Sequence, residues 1–301
     1  PLLDALSALG ARAFSTRGNG CLPAVVRGRL KGGKARVAGI TSQYTTSLLI
    51  NCPLGEGDTE LTVDELRERP YVEMTLWWLE RQGIRYERDD WERFFIPGGQ
   101  AYRPFREEIP SDFSSAAFFL GAAAITGSTI TLRGLNMEDP QGDKALVEYL
   151  REMGTQVEEG EGGILVKGGE LRGVELDLND SPDLLPVLAV LGARADGKTV
   201  LRNVPQARLK ETDRIAVMSR SLCLLGAKAS ELPDGLVVEG SELKGTSLQG
   251  FGDHRVVMAL AVAGLAAEGR TEVDSAEAIS ITFPNFVELM RALGAAMELK
   301  E

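Results

Sequence analysis

The chain has 301 residues, 44% apolar and 26% charged, a balance that excludes a disordered, collagenous or disulfide-stapled protein and leaves room for two domains. Its net charge of −11 argues against nucleic-acid and anionic-membrane partners, which need basic surfaces facing the polyanion. Cys21, Cys52 and Cys223 are odd in number and far apart, so neither a disulfide framework nor a zinc site is expected, and a reducing cytoplasm is. The longest apolar runs, 116–125 and 256–267, are shorter than the ~20 residues that span a bilayer. With no signal-peptide pattern at the start, an unexported, membrane-free chain is expected.

In chain order, an amphipathic helix (LLDALSALG) ends at Gly10 and short alternating strands follow it. A helix rich in small and apolar residues then starts at Ser42 (TSQYTTSLLI), and an amphipathic one (MTLWWLERQG) ends at Gly83, with Trp77 and Trp78 assigned to the core. The irregular stretch 98–110 is the best boundary, which predicts domains 1–109 and 110–301. Beyond it the alternation continues. Apolar helices start at Asp112, Asp183 and Asp253, amphipathic ones end at Gly154, Gly226 and Gly294, and strands such as TQVEEGEGGILVKGG and GKTVLRNV lie between them.

The five helix-ending glycines are 73, 71, 72 and 68 residues apart, and Ser42, Asp112, Asp183 and Asp253 are 70, 71 and 70 apart. Spacing that even marks a repeated supersecondary unit. The unit reads as β-α-β-α-β-β, in about four copies, which makes the fold class α/β. The glycine pairs Gly32-Gly33, Gly98-Gly99 and Gly162-Gly163 match no phosphate-binding or dinucleotide fingerprint. They read as hairpin turns.

Apolar helices related by a repeat bring equivalent ends to one place, where free backbone N–H groups attract anions. Ser42, Asp112, Asp183 and Asp253 are therefore either N-caps or members of an anion-binding ring. His254 and Arg255 follow Asp253 in the first helical turn, where cations are electrostatically misplaced unless an anion binds. A second cluster, RLKETDRI, puts Arg208, Lys210 and Arg214 beside Glu211 and Asp213. It is either a self-compensating helix start capped by Thr212 or Asp213, or an anion clamp with Glu211 as acid or base.

The segments RLKETDRI, GFGDHRVVMAL, TFPNF, ITSQYTTSLL, RPYVEMT and DFSSAAFFLGAAAI resemble the 5-enolpyruvylshikimate-3-phosphate synthase family along the whole chain. The resemblance implies a two-domain inside-out α/β barrel that transfers the enolpyruvyl group of phosphoenolpyruvate to the 5-hydroxyl of shikimate 3-phosphate, with no metal and no cofactor. It places Thr41, Ser42, Gln43, Tyr71, Gln206 and Lys210 on shikimate 3-phosphate and Arg214 and Arg255 on phosphoenolpyruvate. Asp183 would be the base at the 5-hydroxyl, Glu211 would move protons at the methylene carbon, and His254 would orient and polarise.

Three departures accompany the match. The family's N-terminal portion is not seen ahead of Pro1, so an N-terminal fragment is the expected completing partner. Ile281 replaces a lysine, and Glu68 stands where a phosphate-binding serine is usual. Two other readings remain open: a non-catalytic relic that binds shikimate 3-phosphate, and an enolpyruvyl transferase for another alcohol.

Overall fold

The computed structural model describes residues 1–300. The chain divides into two compact units, one of Pro1–Ile109 with Glu138–Gly142, the other of Pro110–Met137 and the chain from Asp143 onward.

The first unit runs α1 (Leu2–Ala8), β1 (Arg12–Ser15), β2 (Ala24–Arg27), β3 (Gly33–Ala38), α2 (Ser42–Asn51), β4 (Thr59–Asp64), α3 (Arg69–Arg81), β5 (Glu87–Asp89) and β6 (Arg93–Ile96). Four strands form a sheet in the order β3-β4-β6-β5, with β3 parallel to β4 and the other pairs antiparallel. Alternation in TELTVD turns Thr59, Leu61 and Val63 inward, as the two-residue period of a strand requires. Along α3, Val72, Thr75, Leu76 and Leu79 make the buried stripe.

Trp77 and Trp78 fall off that stripe, so the core assignment made from sequence is corrected. They stand edge to face with ring centroids 5.0 Å apart, half-buried, with the Arg81 guanidinium 4.5 Å over the Trp77 ring. The buried stripe recurs at three and four positions, 72, 75, 76 and 79, which is i, i+3, i+4 and i+7; positions 77 and 78 fall at i+5 and i+6, which turns them off the core face.

The second unit runs α4 (Phe113–Thr126), β7 (Thr129–Leu132), α5 (Leu146–Glu152), β8 (Gln156–Gly160), β9 (Gly163–Lys167), β10 (Glu175–Asp177), α6 (Leu185–Gly192) and β11 (Lys198–Arg202). It continues through α7 (Arg214–Leu224), β12 (Lys228–Leu232), β13 (Gly235–Glu239), β14 (Ser247–Leu248), α8 (His254–Ala266), β15 (Glu272–Val273) and α9 (Phe286–Ala292). The sheet β10-β11-β13-β12 repeats the order and strand directions of β3-β4-β6-β5. The β-α-β-α-β-β unit is thus the building block of both units. A third sheet is β7-β9-β8, and β14 pairs in parallel with β15 alone. A groove of about 1150 Å³ lies against that two-stranded ladder, lined in part by Leu248, Val257, Val273, Val287 and Leu299.

Helices α4, α6 and α8 pack on one another and have no polar face. All eight residues of α6 are buried. Gly121 permits the approach of α4 to α6, because a Cβ there would sit 2.7 Å from Val187 Cγ2. Among the described residues no helix is long and apolar enough to cross a membrane.

Of the three glycine pairs read as hairpin turns, only Gly162-Gly163 is one, between β8 and β9. Gly33 opens the parallel strand β3, and Gly98 follows β6 so closely against Gly57 that a Cβ would meet its carbonyl oxygen at 2.3 Å. These two pairs serve backbone approach between distant segments, which a local turn pattern does not distinguish. At Gly163, φ is +112° and a Cβ would lie 2.1 Å from Leu132 O, whereas Gly162 faces open space. Gly163→Ala is therefore expected to cost ~2–4 kcal/mol from strain plus overpacking, and Gly162→Ala well under 1. Urea unfolding of the two variants side by side checks this contrast.

Candidate active site

In the second unit the repeat brings the starts of α6 and α8 together, and one side chain joins them. Arg214, at the first position of α7, is 1% exposed. Its Nε and Nη2 donate to both Asp253 oxygens at 2.8 and 3.1 Å, Nη1 donates to Asp183 Oδ1 at 2.8 Å, and Nη2 also reaches Glu211 Oε2 at 2.6 Å. Asp183 in turn receives Arg255 Nη2 at 3.1 Å and has Lys210 Nζ 3.9 Å away. Three cations, Lys210, Arg214 and Arg255, thus balance three carboxylates, Asp183, Glu211 and Asp253. Such forked arginines can exchange an internal carboxylate for the carboxylate or phosphate of a ligand.

Two of the four anticipated helix caps are caps. Asp112 accepts from Ser114 N and Ser115 N, both at 3.0 Å, and Asp253 accepts from Arg255 N and Val256 N at 3.0 and 3.4 Å. Asp183 instead sits in a 3₁₀ turn, Pro182–Leu184, that leads into α6, and makes no cap bond. Its carboxylate is claimed by the cations. Ser42 is already inside α2; Thr41 precedes it and caps the helix through Gln43 N.

Electrostatics follow from burial and pairing. Burial pushes the Asp183 carboxyl up, but Arg255, Lys210 and Arg214 together outweigh it and hold it below the usual carboxylate range. Burial likewise raises Asp253, and the Arg214 hydrogen bonds and charge bring it back below. His254 is pushed down by burial and by the neighbouring Arg255 charge, so it is neutral at pH 7. Its Nδ1 is buried without a hydrogen-bond partner. Gln206, 3% exposed, donates Nε2 to Asn179 O at 3.0 Å and leaves Oε1 without one.

Arg208 is not part of the cluster. It donates to Asp213 Oδ2 and Glu231 Oε2 at 2.7 and 2.9 Å and to the Leu232 and Pro233 carbonyls, tying the segment before α7 to the β12–β13 turn. Asp213 caps α7 through Ala216 N, and Thr212 donates to Asp253 at 3.1 Å.

The sequence reading missed Asp143. Nothing in GDKA marks it, yet it is 2% exposed and accepts a hydrogen bond from Ser114 Oγ. Burial first, and then the Asp183 charge, push its carboxyl up to about 7. The folded chain keeps a proton that the unfolded one releases above about pH 4, so stability from this group declines as pH rises from there to about 7. Asp143→Asn, which keeps the neutral shape, should remove that decline. Urea unfolding at pH 5 and pH 8 would show the variant gaining on the wild type at the higher pH.

In the first unit, Thr41, Ser42 and Gln43 stand at the start of α2, and Ser42, Gln43 and Tyr71 line a pocket of about 560 Å³ with Thr46, Trp78 and Phe105. Glu68, 1% exposed, accepts from Ser42 N at 3.1 Å, Ser42 Oγ at 2.8 Å and Thr41 Oγ1 at 3.5 Å. Ile281 is 69% exposed at the end of a 3₁₀ turn.

The family model described as EPSP synthase (3-phosphoshikimate 1-carboxyvinyltransferase) matches residues 1–290. The chain belongs to the EPSP synthase family. It is 55% identical over 295 residues to the 3-phosphoshikimate 1-carboxyvinyltransferase of Acetivibrio thermocellus, covering 98% of this chain and 70% of the relative. To that of Methanococcoides burtonii it is 45% identical over 307 residues, covering 100% and 71%. Among solved structures, EPSP synthase from Acinetobacter baumannii superposes with a TM-score of 0.82 at 28% identity, over 100% of this chain and 71% of that one. These likenesses establish the α/β enolpyruvyl transferase fold and a transferase of this family.

Proposed function

We propose that the chain carries out 3-phosphoshikimate 1-carboxyvinyl transfer, moving the enolpyruvyl group of phosphoenolpyruvate to the 5-hydroxyl of shikimate 3-phosphate and releasing phosphate. The observation that carries this reading is the set of three cations held on buried carboxylates at the starts of α6 and α8. In this reading Arg214 and Arg255 of the second unit grip phosphoenolpyruvate and its Lys210 and Gln206 serve shikimate 3-phosphate; the family resemblance assigns Thr41, Ser42, Gln43 and Tyr71 of the first unit to shikimate 3-phosphate as well. Gln206 Oε1 and His254 Nδ1 are buried with their hydrogen-bonding capacity unused.

The cations suppress the basicity of Asp183. When substrate anions share Arg214, Arg255 and Lys210, that suppression relaxes and Asp183 becomes a competent base. Asp183 takes the 5-hydroxyl proton as the oxygen bonds to C2 of phosphoenolpyruvate, and Glu211 relays a proton taken from solvent to the methylene carbon. The resulting tetrahedral adduct loses its C–O bond to phosphate; the methyl proton returns to Glu211, and the proton on Asp183 leaves with phosphate. Neutral His254 orients and polarises through a hydrogen bond.

The chain spans 70% of the length of the Acetivibrio thermocellus relative, so the reading is tested with and without the rest of such an enzyme, and it places the enzyme in the cytoplasm. The assay is phosphate release with both substrates, run on the chain alone and on the chain mixed with the N-terminal portion of a relative. Release that requires both substrates is the expected result. Silence in both arms would overturn the reading.

A further inference from the structure

We propose that the outer face of the β1–β2 ribbon is a docking surface for an acidic, extended segment of a partner polypeptide, a role separate from the transfer reaction. Residues 5–55 hold seven cations and no acid, in a chain whose net charge is −11. Lys34 and Arg36 are paired, with Glu60 at 2.8 Å and Asp64 at 2.7 Å. The other five, Arg12, Arg17, Arg27, Arg29 and Lys31, meet no carboxylate among the described residues. Four of the five are arginines, whose forked donors suit carboxylates.

Strand register gathers the charge. Arg12 lies directly opposite Arg27, and Phe14 opposite Val25, so by alternation these four side chains share one face. Phe14 is 40% and Val25 39% exposed, and both arginines are exposed, whereas Ala13, Ser15 and Ala24 on the other face are half-buried. Like charges directly opposite one another repel, and the Arg12 guanidinium has the Phe14 ring 5.3 Å away rather than an acid. A carboxylate set between Arg12 and Arg27 turns that repulsion into attraction. The ribbon is also preformed. Its turn is tied by Ser15 Oγ donating to the Cys21 carbonyl at 2.6 Å, Thr16 Oγ1 to the Pro23 carbonyl at 3.0 Å and Cys21 N to Asn19 Oδ1 at 3.0 Å, so docking has little of it to order.

The chemistry of the partner follows from the spacing. The cationic pair and the apolar pair are two residues apart along the strands, about 7 Å, which is also the distance between same-face side chains of an extended chain. A segment with an acid at one position and an aliphatic residue two further on meets Arg12 and Arg27 with the first and Phe14 and Val25 with the second. Arg17 in the turn and Arg29 just beyond β2 extend the charge at the two ends. A polypeptide fits better than a nucleic acid, because the remainder of the chain is more acidic than the whole and repels a long polyanion, and because the apolar pair offers nothing to phosphate.

The test is fluorescence anisotropy with a labelled peptide of Glu-Ser-Val-Ser repeats, beside a Gln-Ser-Val-Ser peptide and oligo-deoxythymidine, at low and at physiological salt. Wild type is expected to bind the acidic peptide, more tightly at low salt, and Arg12→Gln/Arg27→Gln to bind it at least about tenfold more weakly. Phe14→Ser should weaken binding several-fold with its salt dependence unchanged, and it decides the matter if the double variant does not fold. Equal binding of the acidic peptide by wild type and the variants, or of the acidic and Gln peptides by wild type, overturns the proposal. Tighter binding of oligo-deoxythymidine than of the acidic peptide overturns the choice of a polypeptide. Phosphate release plays no part in these readouts, so the transfer reading can fail or stand independently of them.

Discussion

Arg214→Met is expected to destabilise the chain by roughly 3–5 kcal/mol, the cost of removing one partner from a buried ion pair. The magnitude follows from what is left behind. Asp253 is fully buried and would keep only the Thr212 hydroxyl and two backbone N–H groups. Asp183 would keep Arg255 and Lys210. Methionine fills much of the volume, so the loss reports charge rather than a cavity. The double variant Arg214→Met/Asp253→Asn removes the stranded charge and should recover part of the loss. Urea unfolding of wild type, single and double variants measures both steps; a single variant within about 1 kcal/mol of wild type would mean that the cluster is solvated rather than buried.

Asp183→Asn has the largest expected effect on chemistry. If Asp183 is the proposed base, its loss lowers turnover by ~10²–10⁴-fold, read as phosphate release with both substrates. Binding should move the other way, because the substitution removes the internal carboxylate that competes for Arg255, Lys210 and Arg214. Phosphoenolpyruvate affinity, measured by calorimetry, is thus expected to hold or tighten while kcat falls. A fall in affinity with kcat preserved would assign Asp183 to binding alone.

Much of the architecture was legible in one sequence, because it is carried by local rules. Helix ends at Gly10, Gly83, Gly154, Gly226 and Gly294 have positive φ in the structure, the conformation in which glycine closes a helix. The apolar helices from Asp112 and Asp253 were recognisable from an acid followed by an unbroken apolar run, and both acids cap. The same rule failed at Asp183. Its carboxylate is taken by Arg214, 31 residues away, and by Arg255, and a local pattern contains no information about such partners.

The site divides the same way. Lys210, Arg214, Arg255 and His254 stood out because cations at helix starts are electrostatically odd. Arg208, equally cationic, belongs to a structural tie with the β12–β13 turn, and only the path of the chain separates it from its neighbours. Asp143 and Glu68 acquire meaning from burial beside groups distant in sequence, Asp183 for the first and Ser42 for the second.

By itself, then, the sequence determined a repeated β-α-β-α-β-β unit, apolar helices with charged starts, and membership of a family through RLKETDRI and GDHR. These depend on periodicity, capping and turn chemistry, which act over a few residues. The tertiary structure decided which charges neutralise one another, which acid keeps a proton, and which carboxylate sits at the start of α2. Those outcomes depend on burial and on distances between segments dozens of residues apart, where desolvation and Coulomb energies compete at full strength.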